Sequence, residues 1–516
     1  MGCAALTLAI GLAHAQQPKR GGTLNFAVVA EPLNYDCHAS TTFALIHTIA
    51  PHYSLLVKFD GEGYPKVIPD LAQSWTVAPD GMTLTFKLKA PVQFHDGSPL
   101  TSEDVKASYQ RIIDPPPGVV SIRRSYYADL TVDAPDPTTV TFQLRKPMAG
   151  VLEALASPFN CIYSAAKLRV NPRYPETEIM GSGPFTLVAH VRGTSWEGRR
   201  FADYFDKGKP YLDGYKAFFV KSNRVVPGIL GGQFDAEFRG RNPSEKAQLL
   251  DKMKENLAVF ESSWVNSLII VFNTKRKPFD DVRVRQALSL AIDRWGGSEA
   301  LSKISLLKYV GGVMRPGYAM ALPESELVTL PGFSKDIAKS REEAKKLLEE
   351  AGASNLQFKL LNRNIADPYT PGAVYSIEQW RHIGVTATHE QFETKLYQDR
   401  VAAGDFDAAI EFQADFMDDP TAQFSKFLTK SASPSGYSGH SDTKLDDMYE
   451  RQRHAIDLAE RTSIVREMER YALVQAYNVP LLWWQRILVN HRKIKGWYVT
   501  PSHYLWQDLS TVWLDP

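Results

Sequence analysis

The stretch 69–111 restricts the fold of this chain more than any other. Trp75-Thr76-Val77 reads as a short strand, and Pro79-Asp80-Gly81 as a turn ending on a residue that tolerates positive φ. Residues 83–89 alternate polar and apolar, the period of a half-buried strand. His95-Asp96-Gly97 turns the chain again. Thr101 then caps a helix with Asp104 in its first turn and Val105 and Tyr109 on one face. Pro115-Pro116-Pro117-Gly118 breaks that helix. Each local preference agrees with its neighbours, which marks packed chain.

At 516 residues the sequence exceeds what one ordinary core holds, so two or three lobes are expected. Lys plus Arg number 59 against 58 Asp plus Glu, with no block of like charge. That balance argues against nucleic acid or an anionic membrane as partner. The apolar run Ala4 to Leu12, then Ala13-His14-Ala15 and a polar segment, has the form of a secretory signal cleaved near Ala15, although a basic leader is missing. Cys3 precedes the run and is badly placed for a lipid anchor. No later stretch is long and apolar enough to span a bilayer. Cleavage leaves Cys37 and Cys161, for which one disulfide and two buried free thiols both remain open.

Further along, 23–29 reads as a strand, 43–56 as an apolar helix, and 130–134 with 139–144 as a hairpin. Gly181-Ser182-Gly183 is a tight turn whose glycines are expected to supply unusual φ values, not a nucleophile elbow. Residues 281–294 form one helix with Val284, Ala287, Leu288 and Ala291 on a common face. Ser340-Arg341-Glu342-Glu343 reads as a capping box, and Gly352 stops its helix. Strand and helix patterns alternate from about 275 to 430, an α/β arrangement. Helical pattern returns over 445–477, and 479–489 is β-rich.

Catalytic signatures are missing. There is no His-Glu-x-x-His, no phosphate loop and no Gly-x-Ser-x-Gly. His52, His95 and His440 lack metal-ligand spacing, and His95 is expected to be structural. No metal, cofactor or catalytic residue is expected.

Several segments in order carry a resemblance. They are 69–111, Gly21-Gly22-Thr23-Leu24, Gly181-Ser182-Gly183-Pro184-Phe185, Asn273-Thr274 with 278–288, Ala291-Ile292-Asp293-Arg294, the 341–352 helix and Val479-Pro480-Leu481. Together they resemble the family 5 extracellular solute-binding proteins, the peptide-, nickel- and opine-binding components of bacterial ABC importers. The resemblance implies an α/β, bilobal periplasmic-binding-protein fold with a hinge and an extra domain inserted in the first lobe. By position, lobe I is 21–58, 182–272 and 488–516, the inserted domain 59–181, and lobe II 273–487. A periplasmic, monomeric, non-enzymatic receptor follows, closing on a short peptide and delivering it to the membrane permease.

The same resemblance places three residues beside the ligand. Asp415 aligns with an aspartate that holds the peptide ammonium group, a role suited to a fixed anion; the alternative is a solvated acidic turn. Asp418 and Asp419 read as solvated turn chemistry. Phe412 falls where relatives keep a bulky aromatic, a core position being the alternative, and Arg363 near an arginine that takes the ligand carboxylate, a surface loop arginine being the alternative. Residues 36–43 are expected to offer main-chain groups to an extended peptide. An opine, an oligosaccharide or a nickel chelate is the alternative ligand, and a secreted hydrolase the remote alternative function.

Overall fold

Strand periodicity in the sequence resolves into three principal sheets. The computed structural model describes residues 17–127, 129–414 and 416–515, so the signal segment falls outside the described residues. In the first sheet Thr23–Val28 lies between Ala236–Glu237 and Gly214–Phe219, parallel to both, and Ser195–Arg200 and Phe185–Val191 continue it antiparallel. The opening stretch builds a second sheet of four antiparallel strands in the order Ala72–Val77, Thr83–Leu88, Thr139–Leu144, Leu130–Asp136. Helix Ser102–Ile113 follows it, and the Asp104 carboxylate accepts from the Thr101 N–H at 2.8 Å. Its Tyr109 meets Phe142 edge-on at 4.9 Å between centroids, and Phe142 meets Phe86 at 5.7 Å.

The third sheet has six strands: Leu307–Tyr309, Asn478–His491, Leu257–Phe272, Ala408–Ala414, Gln357–Arg363 and Thr386–Phe392. Leu268, Ile270 and Phe272 enter one apolar cluster, while Ile269 and Val271 enter another. Both faces are covered, which is why 268–272 is an unbroken apolar run and not an alternating one. The two longest strands, Leu257–Phe272 and Asn478–His491, pair antiparallel with a register shift between Ser263 and Ser267. Their far ends, Leu257 with Ile487 and Val489, pack on Ala27 of the first sheet. These strands therefore join the two halves of a bilobal α/β fold.

Several local expectations change. The helix read over 281–294 is two helices, Val282–Leu290 and Arg294–Leu301, because the Asp293 side chain accepts from the Gly296 N–H at 2.8 Å and starts a new one. The apolar helix at 43 ends at Ile49, where Pro51 opens a 3-10 turn. Ser340 is not a cap: the helix spans Ile337–Glu350, Asp336 accepts from Lys339 N–H at 3.0 Å, and the Ser340 hydroxyl donates back to the Asp336 carbonyl. Gly181 and Gly183 do not take positive φ. Their lack of a Cβ matters for another reason. A Cβ would stand 2.0 Å from the His52 carbonyl oxygen at Gly181 and 2.5 Å from the His52 carbonyl carbon at Gly183. His95 secures this approach, its backbone N–H donating to Gly181 O at 2.9 Å and its ring to Gly183 O at 3.0 Å.

Cys37 and Cys161 form a disulfide with Cα atoms 6.0 Å apart, closing a loop of 124 residues. Among the described residues, no helix is long and apolar enough to cross a membrane.

Candidate functional site

A cavity of about 860 Å³ is lined by the six-stranded sheet, by segments around Phe43, Arg123, Phe159 and Arg239, and by the C-terminal segment. Phe43 and Arg239 reach it from the first sheet's side, Arg123 and Phe159 from 59–181, Asn266, Phe412 and Trp484 from the six-stranded sheet, Tyr369 from the start of helix Tyr369–Arg381, and His503 from the C-terminal segment. Its floor is aromatic: Tyr369 lies edge-on to Phe412 at 6.4 Å and to Trp484 at 5.9 Å, and Trp484 meets Trp264 at 5.7 Å.

Four buried polar atoms on the cavity's lining residues lack a hydrogen-bond partner among the described residues, one of them Arg453 Nε, whose guanidinium is already paired with Glu450 at 3.0 Å. Asn266 Oδ1, Trp484 Nε1 and Arg239 Nε are buried without a hydrogen bond among the described residues. Asn266 is 6% and Trp484 3% exposed. Buried polar groups are nearly always paired, because an unmade hydrogen bond costs roughly 1–3 kcal/mol. With Arg453 set aside, three such orphans on the lining of one cavity make it the candidate ligand site. They comprise a cationic donor, a neutral N–H donor and a carbonyl acceptor.

The residues singled out from the sequence fare differently. Phe412 lines the cavity, half-buried, opposite Leu268 in the sheet. Asp415 lies outside the described residues. Arg363, expected beside a ligand carboxylate, is 3% exposed and instead donates to Glu411 at 2.7 Å. Its guanidinium sits over the rings of Tyr397 at 4.3 Å, Tyr369 at 4.5 Å and Phe412 at 5.2 Å. Lys426 approaches the same Glu411 carboxylate at 3.3 Å. Burial alone would raise the Glu411 carboxyl, but Lys426 and Arg363 outweigh it and hold it below the usual range. Arg363 is thus committed beneath the aromatic floor.

Asp418 and Asp419 are not solvated. Asp418 is 1% exposed and takes a forked contact from Arg315, both arms at 2.9 Å, while Asp419 accepts from Arg461 at 2.8 Å. The Asp418 N–H also donates to the Tyr64 hydroxyl at 3.0 Å, and Ala149 N–H to Arg453 O at 2.7 Å. These contacts tie 59–181 to the far side of the cavity. Residues 36–43 do not offer the expected strand edge. Cys37 and His38 N–H groups donate to Tyr163 Oη and Asp36 Oδ1, and the Ser40 and Thr41 carbonyls accept from Arg123 and Tyr504. The segment coils into a 3-10 turn, Cys37–Ala39, and these groups are taken by Asp36 and by the distant Tyr163, Arg123 and Tyr504.

His503 is neutral: burial, then the charge of Arg239, pushes its imidazole well below the ordinary value. Trp264 Nε1–H donates to its Nδ1 at 2.9 Å, so the ring proton sits on Nε2. Among the described residues, no group of three or more His, Cys, Asp or Glu side chains is arranged to hold a metal ion.

Arg239, Asn266, Trp484 and His503 were not legible as site residues. Asn266-Ser267 did carry a signal, a polar pair inside the apolar strand run Trp264 to Phe272. The others lie in ordinary contexts and become a set only through folding.

Residues 66–435 match the family model for the bacterial extracellular solute-binding proteins, family 5 Middle. Over 289 residues the chain is 32% identical to the glutathione-binding protein GsiB of Escherichia coli O1:K1 / APEC, covering 55% of this chain and 53% of that one. The chain thus matches about half the length of that relative. A longer match, to GsiB of Escherichia coli O6:K15:H31 (strain 536 / UPEC), is 25% identical and covers 84% of this chain and 83% of that protein. Among solved structures, the fold resembles the substrate-binding protein CtaP of Listeria monocytogenes at a TM-score of 0.84 and 23% identity, covering 96% of this chain and 100% of that one. It also resembles the periplasmic binding protein DppA of Helicobacter pylori in complex with the peptide STSA, at a TM-score of 0.79 and 22% identity, covering 96% and 99%. The chain belongs to the family 5 bacterial extracellular solute-binding proteins.

Proposed function

We propose that this chain is the periplasmic receptor of an ABC importer, exported with cleavage near Ala15. As a monomer it captures a short peptide between its lobes and delivers it to the membrane permease without chemical turnover. The lobe division is the one inferred from the resemblance, with 59–181 as the inserted domain. Leu257–Phe272 and Asn478–His491 are the strands about which the lobes close. The observation that carries the reading is the 860 Å³ cavity, on whose lining Arg239 Nε, Trp484 Nε1 and Asn266 Oδ1 have no hydrogen-bond partner among the described residues. A peptide offers a carboxylate, carbonyls and N–H groups, one counterpart for each. Glutathione, which the GsiB relatives bind, is itself a tripeptide.

In this reading Asp415 takes the ligand ammonium group, Phe412 packs against the ligand, and Arg363 supports the aromatic floor from below. The disulfide fits export, since such bonds persist in oxidising compartments.

A thermal-shift screen tests the reading with glutathione, di- and tripeptides, opines, oligosaccharides and nickel chelates. Ligand at about 100 times its dissociation constant adds roughly 2.7 kcal/mol of stability. Peptides are expected to shift the midpoint; a shift by an oligosaccharide or nickel chelate alone overturns the peptide assignment. Hydrolysis of any bound compound overturns the non-enzymatic one. Asp415→Asn is expected to weaken a peptide with a free N-terminus far more than its N-acetylated form. Equal losses remove the ammonium role.

A further inference from the structure

The unpartnered arginine in the cavity wall specifies more than a peptide. Arg239 follows the edge strand Ala236–Glu237 of the first sheet, and its backbone is pinned at both ends. Its N–H donates to Glu237 Oε1 at 3.0 Å, and its carbonyl accepts from Arg486 Nε at 3.0 Å. Its side chain lies over Phe43 at 4.7 Å and near Trp264 at 5.8 Å, which set the plane of the fork. The adjacent carboxylate, Glu237, is already taken by Arg241 at 2.9 Å. Among the described residues no carboxylate pairs with Arg239. Behind it the buried Arg486 donates to the carbonyls of Phe238, Arg239 and Thr500 and to no carboxylate among the described residues. Arg239, Arg241 and Arg486 thus outnumber the nearby Glu237 in a partly desolvated setting, where an incoming anion is worth most.

We infer that Arg239 is the carboxylate anchor of the cleft: it takes the free C-terminal carboxylate of a short peptide, while Trp484 Nε1–H meets a peptide carbonyl and Asn266 Oδ1 a peptide N–H. This rests on the peptide reading above. The anchor belongs to the first lobe, and the floor beneath Phe412 to the six-stranded sheet. A peptide held by both spans the two lobes and favours their closure.

Isothermal titration calorimetry of the mature chain tests the anchor, with Ala-Ala-Ala and glutathione each compared with its C-terminal amide. Wild type is expected to bind the free acid about 10- to 100-fold tighter than the amide, the range for hydrogen bonds to charged groups. Arg239→Gln is expected to bind acid and amide alike, at the wild-type affinity for the amide. Arg239→Lys keeps the charge without the fork and is expected to fall between. Wild-type protein that binds acid and amide equally overturns the anchor and leaves the peptide reading intact; this comparison needs no variant to fold. So does Arg239→Gln that keeps the wild-type preference. If none of the probes binds wild type, the peptide reading fails and the anchor falls with it.

Discussion

Arg363 and Arg239 differ less in type than in company. Arg363 ends a central strand of the six-stranded sheet and faces a buried carboxylate at 2.7 Å, with three aromatic rings around it. Arg239 follows an edge strand of the first sheet, has two aromatic rings around it and has no carboxylate among the described residues. Both are arginines close to one cavity, and either would suit a carboxylate by type alone. Nε is buried without a hydrogen bond in both, so the difference that separates a structural cation from a receptive one is the carboxylate, present as Glu411 beside Arg363 and missing beside Arg239 among the described residues. A guanidinium whose charge is already met has little left for a ligand, and removing its partner harms the fold before it harms binding.

The strongest challenge to this contrast is Glu411→Gln. It leaves Arg363 and Lys426 buried without their shared anion and is expected to destabilise the chain by about 3–5 kcal/mol in urea unfolding. A loss below about 1 kcal/mol would mean that the floor is not a matched network. Next in size is the double substitution Cys37→Ser, Cys161→Ser. Opening a loop of 124 residues is expected to cost about 2–4 kcal/mol. Because the bond joins the segment before Phe43 to the segment after Phe159, the cavity wall should loosen as well. Weaker ligand binding than the stability loss alone explains would sharpen its role in shaping that wall.

Glu469 is an intermediate case. It is fully buried and accepts N–H groups from Met314 at 2.8 Å and Leu322 at 2.9 Å, but it has no cation in contact among the described residues. Burial pushes its carboxyl from the ordinary 4.5 up to about 7. The folded state therefore holds this proton more tightly than the unfolded chain does. Its contribution is complete below pH 4.5 and is lost as pH rises through about 7. Glu469→Gln is expected to flatten the unfolding midpoint over that window. An unchanged pH profile would show that the two N–H bonds compensate the charge as fully as a cation does. The smallest stability effect belongs to Arg239→Gln, expected within about 1 kcal/mol of wild type because the guanidinium gives up only its contacts with the Phe43 and Trp264 rings and no ion pair. A large loss there would erase the distinction between the two arginines.

Much of the architecture was visible in residue order, because it depends on neighbours along the chain. The strand–turn–strand–helix of 69–111 follows from alternation, turn residues and a capping pair, all within reach of one another. Element boundaries failed where two local signals competed, as at Asp293, a good cap inside a continuous helical face. The Gly181 and Gly183 requirement was readable as to residue type but not as to cause, since the crowding atoms belong to His52. Pairing across the chain was not readable: Cys37 with Cys161 lies 124 positions apart, and Arg363 with Glu411 joins two strands.

By itself the sequence determined the family, the α/β alternation and the segments that form sheets. Those depend on local periodicity and on motifs that survive as linear strings. Only the tertiary structure decided which polar groups are spent and which are open. It brought Arg239, Asn266 and Trp484 to one cavity from three distant segments and left them without partners. The physical reason is that a hydrogen bond or ion pair is a relation between two groups in space. A lone arginine in a sequence carries no record of whether a carboxylate will be waiting for it.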